Sequence, residues 1–109
     1  MGLLEVRTAH ADGAARIALA GELDIASAPD VEAAFGRLEG SDPPTLIVLD
    51  LRELEFMDST GLRTVVAADT RAREQDRRFE IVRGSDAVHR IFSVTGLDER
   101  LVFVDPPAQ

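Results

Sequence analysis

The sequence predicts an α/β domain: a mixed β-sheet of about four to five strands with helices packed against it. Three features carry that expectation. Two short alternating runs are joined by Asp12-Gly13, a continuous apolar run spans Leu46–Leu51, and strand and helix periodicities alternate after it. At 109 residues the chain is close to the usual size of one domain, so residues 1–109 are expected to form a single unit with its core over about 3–105.

The elements follow in order. Leu4 and Val6 alternate with Glu5 and Arg7, and Ala15, Ile17 and Leu19 alternate with Arg16, Ala18 and Ala20. With Asp12-Gly13 between them, the two runs read as a hairpin whose second strand ends at Gly21. Glu22–Ala26 connects to a helix over about Ala28–Glu39, with Ser27 as N-cap, Pro29 in the first turn and Asp30 as a capping-box acid. That helix carries an apolar stripe of Val31, Ala34, Phe35 and Leu38 and stops at Gly40. Leu46–Leu51 reads as a central strand. Leu54 and Phe56 then lead into Asp58-Ser59-Thr60-Gly61, after which Leu62, Val65, Val66 and Thr70 recur with helical period to about Gln75. A strand around Phe79–Val82, a helix capped by Ser85 or Asp86 and ending near Gly96, and a last strand at Leu101–Val104 complete the order β-β-α-β-α-β-α-β.

Composition excludes several function classes. There is no cysteine and only His10 and His89, which removes thiolate metal sites, disulfides and thiol nucleophiles, and no metal or other cofactor is expected. The net charge is −8; residues 1–60 hold 12 acids and 4 arginines, residues 61–109 hold 8 of each. That sign, without Trp or Tyr, argues against direct nucleic-acid binding; the surplus of acids serves either to steer a basic protein partner or simply to keep the chain soluble. No apolar run approaches the roughly 18 residues of a membrane span. The N-terminus has neither the basic start nor the apolar stretch of a signal peptide, so a cytoplasmic chain without membrane insertion is expected. Lysine is absent, which excludes Schiff-base chemistry and the P-loop lysine.

The segment best placed to carry chemistry is Phe56-Met57-Asp58-Ser59-Thr60-Gly61-Leu62, where a buried strand feeds a helix. Phe56 and Met57 read as an apolar pair anchoring the loop. Ser59 stands in the N-cap position, its hydroxyl next to free amides and the positive end of the helix dipole. Gly61 falls in the first turn, where glycine costs about 0.5–1 kcal/mol relative to alanine. Either another molecule approaches closely there or the sheet crowds the helix. Asp58 sets a carboxylate beside the hydroxyl. Taken singly, these residues also describe an ordinary helix start. Glu22 and Asp24 form a second acidic pair, separated by an apolar residue in the manner of an exposed strand end. A serine-hydrolase triad of Ser59 and His89 lacks the G-x-S-x-G elbow.

Together, Gly21-Glu22-Leu23-Asp24, the strand Leu46–Leu51, Phe56–Leu62 and the closing Ile91-Phe92-Ser93-Val94-Thr95-Gly96-Leu97 resemble, in order and spacing, the STAS domain of bacterial anti-sigma factor antagonists. The resemblance covers about residues 3–105. It implies a single STAS domain acting as a non-enzymatic, partner-switching regulator of transcription. In that family the unphosphorylated antagonist binds an anti-sigma factor that is also an ATP-dependent serine kinase, freeing its sigma factor. The kinase phosphorylates the antagonist and a PP2C-type phosphatase resets it. Carried onto this chain, the acceptor is Ser59, with Thr60 as the alternative because many relatives have a second serine there. Asp24, Asp58, Ser59, Thr60 and Gly61 are then the partner-binding residues. The competing expectation is a STAS accessory subunit or regulator of a membrane transporter.

Overall fold

A computed structural model describes residues 3–40 and 42–106. Its elements are β1 (Leu4–Ala11), β2 (Ala14–Leu23), α1 (Ala28–Arg37), β3 (Leu46–Met57), α2 (Ser59–Glu74), β4 (Arg78–Val82), α3 (Asp86–Val94), a 3-10 turn at Leu97–Glu99, and β5 (Phe103–Val104). The order is the one the sequence predicts. The five strands lie side by side as β1-β2-β3-β4-β5, with β1 antiparallel to β2 and the remaining pairs parallel. Asp12 (φ 52°) and Gly13 (φ 80°) supply the two positive φ values that a tight two-residue hairpin requires, and Ala11 pairs with Ala14 on either side.

Three parallel crossovers step in one direction, and right-handed connection places all three helices on the same face of the sheet. Ile17, Leu19, Leu49, Leu51 and Ile81 point from the strands into that layer, and Val31, Val65, Val88 and Phe92 meet them from the helices. Each such side chain contributes about 1.5–3 kcal/mol by leaving water.

Among the described residues no second helical layer covers the opposite face, which carries Asp50. This residue is only 4% exposed, held by Arg16 and by Arg52, whose Nη2 lies 2.9 Å from Oδ2 and whose backbone amide donates to Oδ1 at 3.0 Å. Burial alone would raise the Asp50 carboxyl; hydrogen bonds from the Arg52 side chain and amide, and from Arg16, outweigh it and hold the group below the usual carboxylate range.

Several boundaries differ from expectation. β2 continues past Gly21 to Leu23, and β3 continues past Leu51 to Met57. Against β2, the register shifts between Ala18 and Ala20 and again between Gly21 and Glu22, each time with one extra residue on β3. Each bulge reverses the inward and outward phase beyond it. The buried positions of β3 therefore change from a spacing of two (Ile47, Leu49, Leu51) to a spacing of three (Leu54, Met57). Phe56, read as half of a loop anchor, is consequently turned out at 49% exposure while Met57 alone is buried. α1 ends at Arg37 rather than Glu39, and β5 is confined to Phe103–Val104, although the Val102 carbonyl still accepts the Ile81 amide at 2.9 Å.

Candidate functional site

The parallel strands β2, β3 and β4 end at one edge of the sheet, where α1, α2 and α3 begin. The β3–α2 junction is fixed there from both sides. Buried Met57 closes β3, and the Asp58 amide donates to the Leu23 carbonyl at the end of β2 at 3.1 Å. Asp58 has extended backbone (φ −99°, ψ −174°), and its Oδ1 accepts the Gly61 amide at 2.9 Å. Asp58 is therefore the N-cap of α2, one residue earlier than the Ser59 expected from sequence. A carboxylate three residues before a free amide satisfies it directly, which leaves Ser59 as the first helical residue, exposed. Thr60 is half-buried, and its carbonyl accepts the Thr64 hydroxyl at 3.0 Å.

Gly61 is required from within the chain. A Cβ there would stand 2.8 Å from the Leu23 carbonyl oxygen, from Leu23 Cγ and from Met57 Cγ. Of the two reasons the sequence allowed, crowding against the sheet is sufficient.

Asp24 belongs to the adjoining β2–α1 turn. Its Oδ1 accepts the amides of Ala26 and Ser27, both at 3.0 Å, and lies 3.1 Å from the Ser27 hydroxyl oxygen. Ser27 occupies the cap position of α1 but its side chain makes no cap bond; its hydroxyl donates to the Glu22 carbonyl at 2.9 Å and accepts the Asp24 amide at 2.9 Å. The expected capping box with Asp30 is therefore replaced by an aspartate-centred turn. Ser85 does cap α3, accepting the Val88 amide at 3.3 Å. The structure thus brings Asp24, Asp58, Ser59, Thr60 and Gly61 to one edge. Asp24 and Asp58 act there as turn and cap acceptors.

His89 does not serve Ser59. Its ring stands edge-on to Phe103 at a centroid distance of 4.8 Å and lies 6.2 Å from Phe92. The largest described cleft, about 460 Å³, is lined by residues including Asp69, Arg73, Phe79 and Val102, and Ser59 lines none of the described clefts. Among the described residues no helix is long and apolar enough to cross a membrane. Sequence reasoning missed the exposed Leu3, Ile25 and Phe56 at this same edge; the bulges that expose Phe56 leave no mark in the apolar pattern.

An exposed hydroxyl beside a capped helix start, on a sheet edge without an enclosing cleft, has the form of a contact surface on a regulatory α/β domain. Comparison with known proteins gives the same class. The family model described as "Mlab, STAS domain" matches residues 6–104. The anti-sigma-F factor antagonist RsfB of Mycobacterium tuberculosis is 32% identical over 96 residues, 88% of this chain and 77% of that protein. The anti-sigma-B factor antagonist of Staphylococcus aureus is 29% identical over 88% of each chain. The crystal structure of an anti-sigma factor antagonist from Mycobacterium paratuberculosis superposes with a TM-score of 0.80 at 29% identity, covering 93% of this chain and 85% of the other. The chain belongs to the STAS domain family.

Proposed function

We propose that this protein is an anti-sigma factor antagonist switched by phosphorylation of Ser59. The observation that carries the proposal is the exposed Ser59 at the first position of α2, directly after the Asp58 cap, in a chain 32% identical to RsfB. In the unphosphorylated state the edge formed by the Asp24 turn and the Asp58–Gly61 loop binds an anti-sigma factor, which releases its sigma factor. The anti-sigma factor, acting as an ATP-dependent serine kinase, then transfers a phosphoryl group to Ser59, and a PP2C-type phosphatase removes it. Thr60, half-buried and one position further into the helix, is the less accessible hydroxyl.

The size of the effect suits a switch. A phosphoserine brings about −1.5 to −2 charges. Two charges about 6 Å from one partner carboxylate, at an effective dielectric near 20, repel by roughly 5 kcal/mol before salt screening. Reversing a two-state equilibrium from 1:99 to 99:1 takes about 5.5 kcal/mol. The free amides and dipole at the start of α2 stabilise the added charge within the antagonist, so the phosphate acts on the contact rather than on the fold.

Intact-mass spectrometry after incubation with ATP and anti-sigma factor kinases tests this. One added phosphate, lost in Ser59→Ala and retained in Thr60→Ala, is expected. No phosphate with any kinase, together with unchanged partner binding by Ser59→Asp, overturns it.

A further inference from the structure

We infer that the partner contact is anchored by an apolar patch of Leu3, Phe56 and Ile25 and extends from Ser59 towards the uncovered face of the sheet. The inference rests on the proposed function and names a surface that the Asp58–Gly61 loop does not include. The Glu22 amide donates to the Leu3 carbonyl at 3.0 Å, and Glu22 is the register partner of Phe56. Leu3, Glu22 and Phe56 therefore form a row across three adjacent backbone segments. Their neighbours Leu4, Leu23 and Met57 turn into the core, so the row faces away from the helices. Ile25 lies two residues beyond Leu23, whose carbonyl holds the Asp58 amide.

The three side chains are 80%, 49% and 73% exposed, and they are three of the five large apolar side chains exposed among the described residues. Single exposed apolar residues are ordinary, but Leu3 and Phe56 in one row, with Ile25 on the adjoining β2–α1 turn, mark a contact surface beside the candidate switch.

Charge identifies the occupant. Four carboxylates, Glu22, Asp24, Glu55 and Asp58, lie beside the patch residues in the chain, and like most acids among the described residues none of them has an arginine within 4.0 Å. The patch is thus bordered by four carboxylates without an arginine partner, two of which, Asp24 and Asp58, also accept backbone amides. It fits a protein surface that offers an apolar pocket rimmed by arginine or lysine, which we assign to the anti-sigma factor. In such a contact the apolar anchors set the dissociation rate, while the rim charges act on the association rate and its salt dependence.

The test is surface plasmon resonance with each purified anti-sigma factor of the source organism, using wild type, Phe56→Ser, Ile25→Ser and Val94→Ser. Val94 is a matched control, 71% exposed at the end of α3 remote from this edge. Melting temperatures of all four proteins verify folding. Phe56→Ser and Ile25→Ser should each weaken binding by about tenfold or more, mainly through faster dissociation, with Val94→Ser within about twofold of wild type. If wild type binds while both patch variants stay within about twofold of it, the patch is not the anchor and the proposed function stands. If wild type binds no anti-sigma factor, both fall. A wild-type dimer that Phe56→Ser dissociates would assign the patch to self-association and overturn the inference.

Discussion

The Asp58 carboxylate accepts the amide of Gly61 at 2.9 Å, and the backbone between them carries Ser59 and Thr60. The hydroxyl proposed to be phosphorylated thus sits on a turn closed by its neighbour's side chain. Asp58 supplies the local stability, and Ser59 is free to serve a different purpose.

That division separates two neighbouring substitutions. Asp58→Ala should cost about 1 kcal/mol by leaving the third amide of α2 unpaired, lowering the melting temperature by about 4 °C or more. Ser59→Ala should leave it nearly unchanged. Thermal unfolding followed by circular dichroism distinguishes them, and an equal loss in both would move the cap back to Ser59.

Gly61→Ala should destabilise the protein even though alanine is the better helix former. Its methyl would fall 2.8 Å from the Leu23 carbonyl and from Met57 Cγ, so α2 must lift from the sheet. Overpacking of that kind costs about 1–3 kcal/mol, against about 1 kcal/mol gained in helix propensity. The expected result is a lower denaturant midpoint with an unchanged slope; a midpoint at or above wild type would mean that α2 does not seat on Leu23 and Met57.

Acid stability should depend on Asp50. Its folded carboxyl lies below the ordinary value, so the stability it contributes is present above the unfolded-state value of about 3.9 and is lost as pH falls through the folded-state value. Both arginines remain partly in water, which limits the size of the effect. Unfolding curves taken from pH 7 to pH 2 should show wild type losing stability below about pH 4 and Asp50→Asn declining less steeply there, from a lower starting point.

Much of this was legible in the sequence because the relevant signals are local. Asp12-Gly13 announces its hairpin, Leu46–Leu51 its central strand, and the Asp58–Gly61 loop was placed at the correct junction. The cap of α2 falls one residue before the expected Ser59 because Asp58 and Ser59 are both good cap types, and only backbone geometry chooses between them. Phe56 departs from the apolar anchor pair expected with Met57 because the two bulges in β3 are set by pairing with β2, a partner more than 30 residues away in sequence. The burial of Asp50 inside an apolar run is hidden from the sequence for a related reason: the guanidinium groups that allow it come partly from Arg16 on another strand.

The strand order has a kinetic consequence. Every strand lies beside its predecessor in the chain, so from β2 onward each strand finds a partner that has already been made. The antiparallel hairpin closes at once, whereas the parallel pairs must close crossovers of about 30 residues, as between Ala14 and Leu46 or Leu46 and Arg78, and so dock more slowly. A sheet of this order can be laid down as the chain is synthesised, each new β-strand docking on an edge already formed. The hairpin and β3, which carry the Asp24 turn and Asp58, would be in place before the last strand emerges.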